Sequence, residues 1–212
     1  MKKAVLISLI LSALTSSALA VDYGVGPLNE SDTVFFNSSA KLEFIQGTTQ
    51  HINGSFSFDP NNLSEGPKGI LRVDLRTLKT GIDKRDEHMR DSHLHTDKYP
   101  YAYFELLSAD ALPPQMAFDS VYQVKAKGNF YIHGHFRAVE PDLHIVRKEI
   151  PTSGEFILVT AKFDLNLDEY KIPRPKALFL KLAETIEIRV VFIGSTQSTA
   201  QPVELPDWSK LD

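Results

Sequence analysis

Residues 122–133 read YQVKAKGNFYIH, and this stretch decides the fold. Tyr122, Val124, Ala126, Gly128, Phe130 and Ile132 stand on one side of a period of two. Gln123, Lys125, Lys127, Asn129, Tyr131 and His133 stand on the other. Successive side chains of a strand point to opposite faces, so one face is buried and the other wet, as in antiparallel sheets. The same period recurs in both directions along the chain. Phe56 and Phe58 alternate with Ser55 and Ser57, and Leu71, Val73 and Leu75 with Arg72, Asp74 and Arg76. Ala102, Phe104 and Leu106 share a face, as do Ile186, Ile188, Val190 and Phe192. Turn formers separate the runs at Asp59-Pro60-Asn61-Asn62, Glu65-Gly66-Pro67, Leu112-Pro113-Pro114 and Thr152-Ser153-Gly154. The expected class is all-β, an antiparallel β-barrel of about eight strands, which leaves room for side chains or one elongated ligand. Alternation alone does not separate a barrel from a sandwich. Gly128, in mid-strand, predicts a bend.

The two ends read differently from this body. In residues 1–20, Lys2 and Lys3 precede a short apolar run, and Ala18-Leu19-Ala20 gives the small-x-small pattern of a cleaved signal peptide. Removing it takes the net charge from −4 to −6, since two lysines leave with it. The run is short for a membrane span of ~20 residues, and the chain is expected not to span a membrane. The barrel is placed at residues 31–195. Residues 196–212, rich in Ser, Thr, Gln and Pro, are expected to form a flexible tail pinned by Trp208. An acidic chain with scattered lysines makes a poor nucleic-acid binder. There are no cysteines, so neither disulfides nor an acylated cysteine can hold it. The expected location is the periplasm, with secretion as the alternative.

Chemistry concentrates in residues 78–105, LKTGIDKRDEHMRDSHLHTDKYPYAYFE. Asp86 and Arg90 stand four apart, in the order that favours a short helix near residues 83–96. Asp86 and His88 could form an acid/base pair, but cysteine is absent and no Gly-x-Ser-x-Gly elbow supplies a nucleophile. The structural alternative is that Arg85 and Asp86 satisfy backbone and each other where the helix closes a barrel end, with Met89 packed beneath. His93 with His95, and His133 with His135, have a spacing that puts two imidazoles on one face of a strand, as in some zinc enzymes. His133, however, shares its face with Lys125, Lys127 and Asn129, which should be wet. No catalytic residue, metal or cofactor is therefore expected.

The Thr80-Gly81 turn, Arg85-Asp86-x-His88-Met89 and Tyr99-Pro100 before Phe104 resemble the signature of the YceI-like family. Phe44 with Gly54-Ser55-Phe56 is similar to its first hairpin. Gly128-x-Phe130-x-Ile132-x-Gly134 is similar to its central strand, and Phe163-x-Leu165-x-Leu167-x-x-Tyr170-x-Ile172 to its third block. Lys171 and Phe136 depart from the pattern. The resemblance implies an exported, lipocalin-like barrel that binds polyisoprenoid or similar long apolar molecules. The expected ligand-facing set is Phe44, Phe56, Phe58, Leu75, Phe104, Tyr122, Val124, Phe130, Ile132, Phe163, Ile188 and Phe192. Arg85, Asp86, His88 and Met89 join it at the closing helix. Burying one five-carbon isoprene unit could yield roughly 3–4 kcal/mol before ordering costs. The expected function is non-enzymatic binding, transport or sequestration of such a molecule. The alternatives are a zinc- or carboxylate/histidine-dependent hydrolase on the same barrel, and an envelope factor acting through its surface. The sequence leaves oligomeric state open.

Overall fold

A computed structural model describes residues 20–26, 31–39, 44–174, 183–200 and 203–207. The expected signal peptide (but for Ala20) and Trp208 lie outside the described residues. Among the described residues, eleven strands form one antiparallel sheet: β1 (Val21–Val25), β2 (Thr33–Ser39), β3 (Phe44–Thr49), β4 (Ile52–Phe58), β5 (Lys68–Asp74), β6 (Tyr101–Asp110), β7 (Val121–Ile132), β8 (His135–Val139), β9 (Asp142–Ile150), β10 (Gly154–Asn166) and β11 (Thr185–Ser195). They occupy eight positions around a closed barrel. β1 and β2 share the first position, β3 and β4 the second, and β8 and β9 the sixth. β11 pairs with β10 on one side, and with β2 (Val190↔Val34) and β1 (Ser195↔Gly24) on the other. That closure excludes a sandwich, whose two sheets keep free edges.

Local sequence explains the irregularities. Ser57 and Phe58 continue a clean alternation in β4, where Ile52, Gly54, Phe56 and Phe58 are buried. In β3 the buried positions are Gly47 and Thr49, the opposite parity. The switch falls at Gln50-His51, where the Ile52 amide turns back to the Gln50 carbonyl at 3.0 Å and the His51 amide to Thr49 Oγ1 at 3.1 Å. Between β6 and β7 the register shifts at Leu106–Ser108. Gly128 lies opposite, and a Cβ there would stand 2.2 Å from the Glu105 carbonyl oxygen and 2.6 Å from the Phe104 ring. The glycine makes room for that ring to enter the barrel.

Two apolar clusters fill the two halves. One gathers Tyr23, Val25, Ile52, Phe56, Phe58, Leu63, Met116, Ile157, Val159 and Phe192. The other joins Leu75, Leu78 and Leu94 to Ala102, Phe130, Ile132, Leu165, Leu167, Tyr170, Ile172 and Ile186. The expected short helix is α1 (Asp83–His88), which widens into a π-type turn over Met89–Leu94 and stops at His95 in a left-handed conformation (φ 46°). It lies over the second cluster and closes that end.

Candidate functional site

Where the clusters meet, the barrel holds a cavity of about 130 Å³ with no charged side chain in its lining. Its walls are the inward faces of all eight strand positions, Val34 coming from β2 and Leu143 and Ile145 from β9. Phe56 and Phe58 come from β4, Leu71 and Val73 from β5, and Ala102 and Phe104 from β6. Phe130 comes from β7, Ile157, Val159 and Phe163 from β10, and Ile188, Val190 and Phe192 from β11. Aromatic edges set its shape: Phe130 meets Phe163 at 5.1 Å, and Phe56 meets Phe192 at 6.0 Å. The volume is close to the ~150 Å³ of a dry apolar void that takes up one benzene. An apolar group larger than that would need the lining to move aside, and the unbranched Met116 is its most adaptable member.

Seven of the expected ligand-facing residues line this cavity: Phe56, Phe58, Phe104, Phe130, Phe163, Ile188 and Phe192. The others lie outside the lining. Phe44 is 63% exposed, because the parity switch at Gln50-His51 turns it outward. Leu75 and Ile132 are buried in the cluster under the helix. Val124 is buried in the barrel wall. Tyr122 packs against the first cluster and its hydroxyl accepts the Ala117 amide at 2.8 Å.

Arg85, Asp86, His88 and Met89 form a closure rather than a wall. Asp86 is 1% exposed, and its Oδ1 accepts from the Thr80 amide at 2.7 Å and the Thr80 hydroxyl at 2.5 Å. Arg85 reaches the same residue, with Nε to Thr80 Oγ1 at 2.8 Å and Nη2 to the Thr80 carbonyl at 3.1 Å. His88 is exposed and Met89 packs on the second cluster. The acid/base reading of Asp86 with His88 finds no support in this arrangement, since the carboxylate is turned to Thr80.

The opposite end carries a charged network that sequence reading missed. Arg147, a buried residue of β9, makes a bidentate contact with Glu155 at 3.0 and 2.9 Å. Its Nη1 reaches Asn61 Oδ1 at 3.1 Å and the Met116 carbonyl at 2.8 Å. Tyr23 donates its hydroxyl to Glu155. Burial first, and the bond to Glu155 second, push that phenol up from its ordinary value. Arg147 thus straps residues 111–119 across the barrel mouth, and Met116 (3% exposed) and Leu112 face the cavity from the strap. Residues 111–119 show no period of two, so no alternation signalled them.

The histidines also regroup. His133 was expected to be wet, yet it is 8% exposed. The segment running from Leu94 to Tyr99 covers the outer face of the end of β7, with Tyr99 edge-on to His133 at 5.0 Å. His133 Nε2 meets His95 Nδ1 at 2.8 Å, and its Nδ1 meets the Tyr170 carbonyl at 3.0 Å. Burial lowers the His133 pKa from its ordinary value, against the raising effect of the Tyr170 carbonyl. Among the described residues, no group of three or more His, Asp or Glu side chains is placed to hold a metal ion. Among them, too, no helix is long and apolar enough to cross a membrane.

Comparison with known proteins gives these features a context. Residues 27–193 match the model of the YceI-like domain. A UPF0312 protein of Photorhabdus laumondii is 31% identical over 109 residues, which is 49% of this chain and 56% of that protein. A UPF0312 protein of Shewanella denitrificans is 31% identical over 108 residues, with 49% and 56% covered. These matches span little more than half of the relatives' length. Among solved structures, a polyisoprenoid binding domain from Saccharophagus degradans, implicated in plant cell wall breakdown, superposes with a TM-score of 0.66. It is 18% identical over 82% of this chain and 98% of that one. A Campylobacter jejuni YceI protein gives 0.61 at 15% identity over 74% and 88%. At such identities the structural matches speak for the fold.

Proposed function

We propose that this chain, which belongs to the YceI-like family, binds a long apolar molecule of polyisoprenoid type inside its barrel and acts as a carrier or store rather than an enzyme. The observation that carries the reading is the continuous, uncharged lining of the cavity between the two clusters. A site of that kind gains affinity from area removed from water and asks little of the ligand's polar groups. The solved Saccharophagus degradans domain, described as polyisoprenoid binding, supports the same class of ligand. The periplasm is the proposed location, supported by the basic and apolar N-terminal run ending in Ala18-Leu19-Ala20.

The test is mass spectrometry of an organic extract from protein purified without detergent. The expected result is a long hydrocarbon-rich species at a near-stoichiometric level. A protein that carries none, and that takes up no apolar fluorophore such as N-phenyl-1-naphthylamine, would overturn the reading.

A further inference from the structure

The barrel wall is split along one seam. β8 and β9 keep one register on β7, with Val139 opposite Gly128 and Asp142 opposite Lys125. β9 pairs with β10 only as far as Asp142↔Lys162. The next residue back is Pro141, which has no N–H to continue the ladder, and β8 peels away from β10 beyond it. The opening is a groove of about 370 Å³. Ala138, Val139 and Glu140 form one bank, and Phe163, Asp164 and Asn166 the other.

Two features tie this groove to the interior. Phe163 lines both the groove and the apolar cavity. Phe163, Phe130 and Tyr170 stand edge to face in series, at 5.1 and 5.9 Å, as a partition between the two spaces. Tyr170 is 1% exposed and also lines the groove, and its buried hydroxyl has no hydrogen-bond partner. A buried hydroxyl left unpaired costs about 1–3 kcal/mol, a cost that a ligand's polar group would relieve. Burial raises its pKa and keeps it protonated, able to donate as well as accept. The groove's charge is one-sided. Glu140, Asp142, Asp164 and Glu169 outnumber Lys162 in the lining and Arg137, whose guanidinium stands 6.0 Å from the Tyr170 ring at the groove's edge. Asp142 and Lys162 are engaged elsewhere, at 2.7 Å with Lys125 and 2.6 Å with Glu187.

Taking the barrel as the site of a long apolar chain, we infer that the split between β8 and β10 seats the polar head of that chain, that Phe163 is the door between head and tail, and that the head is uncharged or cationic and never a phosphate. The excess of carboxylates repels an anion, while the Tyr170 hydroxyl hydrogen-bonds an alcohol or carbonyl. The tail then runs from Phe163 toward Met116.

The experiment displaces N-phenyl-1-naphthylamine from the full-length mature protein with three probes: farnesol, farnesyl phosphate and squalene. Farnesol should bind at least about tenfold more tightly than farnesyl phosphate at low salt, the difference shrinking as salt screens it. In Glu140→Gln/Asp164→Asn/Glu169→Gln the preference should fall to about threefold or less, since the repelling charges are gone. Tyr170→Phe should weaken farnesol about fivefold, the value of one neutral hydrogen bond, and leave squalene unchanged. Equal affinity for alcohol and phosphate, or a preference that survives the triple variant, would overturn the head-group assignment while leaving the carrier reading intact. If the wild type does not take up the fluorophore at all, both fall together.

Discussion

At the helical end of the barrel, Asp86 collects two Thr80 donors while Leu75, Leu78 and Leu94 fill the space beneath. None of the described residues from Leu75 to Tyr101 reaches the cavity. At the opposite end, Leu63, Leu112 and Met116 close the barrel and line the cavity at once, held by Arg147 through the Met116 carbonyl. The first end is a floor whose closure is independent of the binding space. The second is a strap whose own apolar side chains set the length of that space. Damage to the first should cost stability alone, and damage to the second should change stability and ligand together.

The largest effect is expected from Arg147→Ala. It strands Glu155 in a mostly buried setting and frees the strap, so stability should fall by about 3–5 kcal/mol. Amide exchange should accelerate first in residues 111–119. A melt within a degree of the parent would break the claim that Arg147 holds the mouth. Asp86→Ala should cost about 3 kcal/mol by leaving the Thr80 donors buried without an acceptor. Its ligand affinity should match the parent's. A stable variant with weakened binding would instead move Asp86 into the binding site.

Met116→Ala and Leu78→Ala sharpen the contrast with matched truncations. Each should lose about 2 kcal/mol or more, as large-to-small changes in packed sites do. Only the Met116 variant should accept a longer chain, read by mass spectrometry of the bound lipid. A chain length that shifts in neither variant, or in both, would dissolve the distinction between strap and floor.

The smallest effect is a pH dependence at the helical end. Burial lowers the folded His133 pKa below its ordinary 6.5. Between the folded value and 6.5 the unfolded chain binds the proton and the folded chain does not. Stability from this group is therefore full above about 6.5 and is lost as pH falls toward the folded pKa. Urea midpoints for wild type and His133→Gln should converge or cross on going from pH 8 to pH 5.5. A difference that stays constant would place His133 in a solvated setting.

The cavity walls were legible because β7, β10 and β11 keep strict alternation through the barrel, so Phe130, Phe163, Ile188 and Phe192 could be placed by parity alone. Phe44 was not, since a parity extrapolated back from Phe56 crosses the kink at Gln50-His51. His133 lies just past the end of β7, in the left-handed turn to β8 (φ 54°), where the alternation no longer places it, and the segment around His95 and Tyr99 covers it. Met116 and Arg147 had no local signal. One sits in an aperiodic strap, and the other is an arginine whose burial depends on Asn61, Glu155 and a loop carbonyl that only the fold assembles. The charged motif around Asp86 was the most conspicuous part of the sequence, and the structure spends it on closing the floor.

The central claim is that the apolar chain lies inside the barrel against the inward face of β7, and paired substitutions on that strand test it directly. Phe130→Glu puts a carboxylate into the cavity wall, where its desolvation beside an alkyl chain costs more than the ~2–7 kcal/mol of an unpaired neutral polar group. Gln123→Glu adds the same charge on the exposed outer face. Quantified by mass spectrometry of organic extracts from the two folded variants, the account predicts a full load of lipid in Gln123→Glu and none in Phe130→Glu. A folded Phe130→Glu protein that keeps its lipid would place the ligand elsewhere and contradict the account.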